Sequence, residues 1–255
     1  MDNFKDKKIL ITGASKGLGM EIATEFEKLG AKLILIARSK ELLDKLTTNF
    51  NDKKKHLVYA KDLLEENNLE VVLNDIEDKL SNIDVIIHCL GGSFGINDPL
   101  DNWKSFERSL RGNLGIALDI NRRFIPKMEK NKQGNIIHIS SLVSQQATAS
   151  PFYCAAKSAL SGYVRSMGNH LVKMNIYLSC IVPGAFIADN NAMSRFKFYK
   201  PKEYEKFVSE LPQKEMPHAK EYLDLVKILS GKKARVFAGS LINMDGGQGL
   251  SIFHG

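Results

Sequence analysis

Cysteine is scarce in this chain. Cys89, Cys154 and Cys180 stand apart among 255 residues, in odd number and with no CxxC spacing. That pattern implies neither a disulfide framework nor a zinc site. The six histidines are scattered, with no HExxH or other paired spacing, so no metal is expected. His88 and His138 sit inside apolar stretches and read as satisfied core or cleft residues. No apolar run approaches the ~20 residues that a membrane helix needs. The opening stretch Met1 to Lys8 mixes acids with lysines where a signal peptide would be apolar. The expectation is a cytoplasmic protein with no membrane partner and no metal.

Charge of one sign does not dominate either. Thirty-six lysines and arginines face 29 acids, a net charge of +7. A basic surface can attract nucleic acid. Here the lysines lie in short runs such as Lys53 to Lys55, no nucleic-acid motif accompanies them, and no nucleic-acid partner is expected. Part of the excess suits a cofactor bearing phosphates. Hydrophobic residues at 44% and charged residues at 25% give a globular composition, and the length suits one large α/β domain over residues 1–255.

Apolar runs and helical periods alternate along the chain. Runs at Lys8–Ile11, Lys32–Ala37, His56–Ala60, Ile83–Leu90, Gly134–Ser140, Ile176–Val182 and Val236–Met244 read as strands. Such nearly continuous runs suit parallel strands buried on both faces. Helical periods occupy Leu18–Leu29, Lys40–Phe50, Asn67–Leu80, Trp103–Glu129 (with Pro126 near its end), Phe152–Met174 and Ala219–Leu229. This order predicts a doubly wound parallel sheet of about seven strands with helices on both faces, a Rossmann architecture. The one departure is 185–212, polar but with Phe196, Phe198, Tyr199 and Tyr204, which reads as a partly helical lid.

The first strand runs into Thr12-Gly13-Ala14-Ser15-Lys16-Gly17-Leu18-Gly19. Glycines there permit a tight turn and close approach of backbone to a pyrophosphate. The helix that follows offers free N–H groups and the positive end of its dipole. Gly19 removes a side chain where helix meets strand. The spacing is TGxxxGxG rather than GxGxxG, and it resembles the form used by the short-chain dehydrogenase/reductase family. The resemblance extends over nearly the whole chain, toward 3-oxoacyl-carrier-protein reductases and sugar or polyol dehydrogenases. It implies cofactor contacts from Gly13, Ser15, Lys16, Gly17, Leu18 and Gly19.

The second strand ends Ile36-Ala37-Arg38-Ser39. An NAD enzyme commonly carries an acid here for the ribose hydroxyls, whereas a 2′-phosphate wants an arginine and no nearby carboxylate. Arg38, with Lys16 in the turn, implies NADP(H). The resemblance further assigns Asp62 and Leu63, after the third strand, to the adenine. The family's Asn-Asn-Ala-Gly is replaced by His88-Cys89-Leu90-Gly91, and only Gly91 keeps its place beside the cofactor.

Tyr153-Cys154-Ala155-Ala156-Lys157 puts a phenol and an ammonium on one helix face. A neighbouring ammonium stabilises tyrosinate and lowers a pKa that is otherwise near 10. By resemblance Tyr153 is the general acid/base, and Lys157 also binds the nicotinamide ribose. Ser140 and Ser141 close the preceding strand, where a hydroxyl can hold a substrate oxygen. Strand alignment favours Ser141 as catalytic, and spacing to the tyrosine favours Ser140; Ser141 is preferred. Asn113 matches a family asparagine that kinks its helix and holds a proton-relay water. Pro183 and Gly184 match the turn beside nicotinamide, with Ala188 where a threonine is usual and Asp189 or Asn190 as substitutes. Asn243-Met244-Asp245-Gly246-Gly247 resembles the closing structural turn.

These readings predict an NADP(H)-dependent oxidoreductase acting on a small-molecule carbonyl or secondary alcohol. A cofactor-binding sensor or scaffold on the same fold is the alternative. A nucleotide-sugar epimerase, which shares YxxxK, is disfavoured by chain length. Arg195, Lys197 and Lys200 suggest an anionic substrate, with solvated lysines as the competing reading. The resemblance also implies a homotetramer or homodimer through the two long helices.

Overall fold

Seven short apolar runs become strands in the computed structural model, which describes residues 2–249. They are β1 (Lys8–Thr12), β2 (Lys32–Ala37), β3 (Leu57–Ala60), β4 (Val85–His88), β5 (Gly134–Ile139), β6 (Ile176–Pro183) and β7 (Leu241–Met244). All pair in parallel, in the order β3-β2-β1-β4-β5-β6-β7. Parallel neighbours need crossovers, and helices supply them: α1 (Gly17–Lys28), α2 (Lys40–Thr48), α3 (Asn68–Lys79), α4 (Trp103–Leu110), α5 (Ile116–Lys130), α6 (Pro151–Leu171), α7 (Ala192–Tyr199), α8 (Pro201–Glu210) and α9 (Leu223–Leu229).

Alternation along each strand divides the core into two layers. Ile9 and Ile11 of β1 pack with Ile22 and Phe26 of α1 and Val226 of α9. Leu10, between them, faces Val72 of α3, Ile120 of α5 and Leu160 of α6. Burial on both faces explains why these strands lack polar alternation. The strand order reverses between β1 and β4. Ligands of open α/β sheets bind beyond the carboxyl ends of the strands at such a switch point.

Several boundaries differ from the periodicity. The last strand begins at Leu241 rather than Val236, because Lys232–Phe237 coils as a 3₁₀ turn. Gly239 then reverses the chain at φ +73°, and its N–H donates to Leu178 O at 2.8 Å. The long helical stretch from Trp103 is interrupted by a π-helical turn, Arg111–Gly115, between α4 and α5. Pro126 lies within α5, which continues to Lys130. Residues 185–212 form α7 and α8. Phe196 ties them together, its ring 5.8 Å from Tyr204 and 6.1 Å from Phe207.

Among the described residues no helix is long and apolar enough to cross a membrane. No cluster of three or more His, Cys, Asp or Glu side chains there could hold a metal. His88 and His138 stack with ring centroids 4.6 Å apart. Burial pushes both imidazoles down, His88 to about 4. His88 Nε2 meets Asn121 Oδ1 at 2.9 Å, but its Nδ1 has no partner, so this histidine is only half satisfied.

Candidate active site

A cleft of about 910 Å³ opens over the carboxyl ends of β1, β2, β4, β5 and β6, with α7 and α8 along one side. The turn after β1 forms one end. Gly13 sits at φ +67°, and a Cβ there would fall 2.9 Å from the Cys89 carbonyl group. A Cβ on Gly19 would fall 2.4 Å from Gly13 O, so α1 can start only where glycine allows it. Ser15 and Leu18 are buried in the same turn. Helix α1 has no side-chain cap and no acid in its first turn. Gly17 N donates to Asp189 O at 3.0 Å, and the N–H groups of Leu18 and Gly19, with the dipole, suit an anion. Thr12 braces the turn across the sheet, its Oγ1 accepting from Leu90 N at 3.2 Å.

Lys16 and Arg38 flank this anion site. Burial, then the charges of Arg195 and Arg38, push the Lys16 ammonium below its ordinary value. No acid closes β2, but a carboxylate reaches Arg38 from the loop after β3. Asp62 Oδ2 lies 3.9 Å from Arg38 Nη1, while Asp62 Oδ1 accepts from Leu64 N at 3.0 Å. The arginine is 64% exposed in its side chain, and such a pair is worth little. Arg38 thus remains available to a stronger anion. Leu63 is buried beside Asp62 and lines the cleft. The donor set — an uncapped helix, left-handed glycines and two cations — fits a phosphorylated dinucleotide.

The π-turn places Asn113 at the far end. Its Oδ1 accepts from Gly92 N at 3.0 Å, and its Nδ2 donates to Gly92 O at 3.0 Å and Ser109 O at 2.9 Å. Both amide hydrogens are committed, so Asn113 holds the loop after β4 and keeps only acceptor capacity for anything else. A π-turn at such a place is common near functional sites. Gly91 is the point of convergence: a Cβ there would lie 2.8 Å from Asn113 Oδ1 and 3.0 Å from Lys157 Nζ.

Lys157 is 3% exposed and donates to Ile139 O at 2.8 Å. Burial pushes its ammonium down to about 8. The neighbouring thiols of Cys89 and Cys180 are pushed up to about 12 by burial, so they give it no anion. Lys157 Nζ lies 5.9 Å from the centre of the Tyr153 ring. The expected lowering of Tyr153 by that charge is not what dominates. Burial raises the phenol above its ordinary value, and the neighbouring Ser141 hydroxyl opposes the rise. That contact also separates the two serines. Ser141 faces Tyr153 and accepts from Val143 N at 3.4 Å. Ser140 is 3% exposed, its Oγ 3.4 Å from Ser161 Oγ.

Pro183 and Gly184 line the cleft where expected. What holds them was not foreseen: Gln248 Oε1 accepts from Ala185 N at 2.6 Å and Gln248 Nε2 donates to Ala185 O at 2.9 Å. No local pattern points to this glutamine, since 63 residues separate the partners. Ala188 is core. The polar residue that turns inward after it is Asn191, not Asp189 or Asn190; its Nδ2 donates to Phe186 O at 2.7 Å and its Oδ1 caps α7. Of Arg195, Lys197 and Lys200, only Arg195 lines the cleft. Lys197 Nζ lies over the Tyr204 ring at 5.7 Å, and Lys200 pairs with Glu203 at 3.8 Å.

Residues 7–197 match the sequence model described as short chain dehydrogenase. The chain belongs to this family. It is 28% identical to the 3-oxoacyl-[acyl-carrier-protein] reductase FabG of Buchnera aphidicola, over 95% of this chain and 97% of that one. It is 30% identical to the fatty acyl-CoA reductase of Acinetobacter baylyi over 71% of this chain, but spans only 62% of that longer protein. The L-sorbose reductase of Gluconobacter frateurii, solved with NADPH and L-sorbose, shares the fold at TM-score 0.86 and 22% identity, over 99% of this chain and 100% of that one. The family is one of oxidoreductases acting on CH–OH and C=O groups.

Proposed function

We propose that this short-chain dehydrogenase is an NADP(H)-dependent reductase of a small carbonyl compound, running in reverse as an alcohol dehydrogenase. The convergence of Tyr153, Ser141 and a buried, uncompensated Lys157 on one cleft carries the reading. The uncapped α1, Lys16 and Arg38 would hold the dinucleotide phosphates, and Asp62 and Leu63 the adenine end. Gly91, Pro183 and Gly184 would flank the nicotinamide, which supplies or takes the hydride when bound. Relatives with FabG and sugar-reductase names support the reaction class and leave acyl thioesters and sugars both in view.

The chain's own groups would handle the proton. The Ser141 hydroxyl donates to the substrate oxygen and keeps it against the phenol. Tyr153, held protonated by burial, gives its proton to that oxygen as negative charge develops. The Lys157 cation then faces the tyrosinate with no other anion beside it and stabilises it. Asn113 acts as a positioning residue for the Gly91–Gly92 loop, its free lone pair open to a water. General acid catalysis of this kind contributes about 10²–10⁴-fold. Residues 185–212 would form the lid of the substrate end.

The test is NADPH oxidation with ketones, keto-sugars and oxoacyl thioesters by the wild type and Tyr153→Phe. The variant should keep its affinity for NADPH and lose at least about 100-fold in kcat. Binding of NADPH without turnover on any compound class would favour a sensor. Binding of neither nucleotide would overturn the reading.

A further inference from the structure

Helix α7 does not float over the cleft; its first turn is fastened to the phosphate-binding turn. Gly17 N donates to Asp189 O at 3.0 Å, and Asn191 Cβ lies 3.6 Å from where a Gly17 Cβ would stand. Asn191 then caps α7 by accepting from Ser194 N at 2.8 Å. Arg195 follows Asn191 by one helical turn and so shares its face, the face that lines the cleft. Its Nη1 donates to Asn190 O at 2.7 Å. A guanidinium has five N–H donors, so most of its fork is left over. Among the described residues Arg195 has no carboxylate partner, whereas Lys200 and Lys206 of the same segment pair with Glu203 and Glu210.

Three cations from three distant segments therefore line the one cleft, Lys16 from the turn, Arg38 just after β2 and Arg195 from α7, and both arginines are close enough to act on Lys16. Among the described residues lining the cleft, Asp62 is the only acid, and it pairs loosely with Arg38. The mutual repulsion is felt at Lys16, whose ammonium is disfavoured by both arginines as well as by burial. Like charges gathered without a counter-ion work against the compact arrangement, and an anion of matching geometry reverses the sign. A phosphate dianion is such an anion, and arginine binds it through paired N–H donors.

We propose that Arg195 is a third ligand of the cofactor's 2′-phosphate, delivered by α7, so that NADP(H) adds a further tie to a segment already fastened at Gly17. This rests on the NADP(H) reading above and adds to it a specificity residue from outside the turn and β2. It also reassigns Arg195, which in sequence looked like an anchor for an anionic substrate.

The test is nucleotide binding, followed by nicotinamide fluorescence, in the wild type, Arg195→Gln, Arg195→Lys and Lys197→Gln. Arg195→Gln should raise the Kd for NADPH by about 10- to 100-fold, the range for losing a charged hydrogen bond. It should move the Kd for NADH less than about threefold, which also reports an intact fold. Arg195→Lys should fall between. Lys197→Gln loses the same charge away from the cleft and should bind NADPH as the wild type does. A second readout is chymotryptic cleavage after Phe198 and Tyr199, which are 78% and 74% exposed. NADP⁺ should slow it in the wild type and not in Arg195→Gln. Wild-type NADPH affinity in Arg195→Gln, or an equal loss for NADH, would overturn the assignment. Failure of the wild type to bind either nucleotide would instead sink the underlying NADP(H) reading.

Discussion

Lys157→Met removes a charge that the fold holds at a loss. A fall in the ammonium pKa from 10.5 to about 8 corresponds to about 3 kcal/mol, at roughly 1.4 kcal/mol per tenfold change in proton affinity. Below pH 8 both folded and unfolded chains carry the proton, and the penalty is present in full. Between pH 8 and 10.5 the unfolded chain binds more protons than the folded one, so stability rises with pH across that window. Methionine has similar length and no charge. It forfeits the hydrogen bond to Ile139 O, and a buried carbonyl left unpaired costs about 1–3 kcal/mol. The cofactor-free variant should therefore be as stable as the wild type at pH 7, or up to about 2 kcal/mol more stable, while losing nearly all turnover. Urea unfolding at pH 7 and at pH 10 measures this. The difference between wild type and variant isolates Lys157 from Cys89 and Cys180, whose raised pKa values make stability fall above pH 9 in both proteins. Destabilisation of Lys157→Met by more than about 2 kcal/mol at pH 7, or a wild-type-minus-variant difference that does not change with pH, would refute the reasoning.

Two further changes probe what supports the site. Gly112→Ala would set a Cβ 2.3 Å from the Phe94 ring, overpacking the π-turn by about 1–3 kcal/mol and displacing the 92–95 loop. Combining it with Phe94→Ala should recover most of that loss in a thermal-unfolding double-mutant cycle, and strictly additive losses would show that the two do not touch. Gln248→Ala removes both hydrogen bonds to Ala185; at about 1 kcal/mol each, the melting temperature should fall by roughly 4–8 °C, and cofactor Kd should rise as the Pro183–Gly184 turn loosens. An unchanged Kd would show that the Pro183–Gly184 turn holds its place without the glutamine.

Much of this protein is written locally. Strands buried on both faces must be apolar throughout, so Lys32–Ala37 and Ile176–Val182 are visible as runs without any knowledge of their partners. The TGxxxGxG turn follows from backbone geometry that only glycine adopts beside a helix start. Tyr153 and Lys157 share a face because residues four apart on a helix always do. Asn113 stands where the helix departs from its period. Local order also indicates where β5 ends, though not which of its two closing serines faces the tyrosine.

What periodicity could not convey are contacts between segments far apart in the chain. The approach of Ser141 to Tyr153 depends on how α6 meets the end of β5. Asp62 reaches Arg38 only because β2 and β3 pair in register. Gln248 holds Ala185 across the end of the sheet, and Arg195 comes near enough to act on Lys16 only once the chain before α7 is fastened to Gly17. The Tyr153 phenol is raised rather than lowered because burial, a property of the folded whole, outweighs what a neighbour in sequence does. Side-chain type and spacing decided which groups are present and which face each occupies. The packing of distant elements decided their solvation and their partners, and with them the charge each group carries.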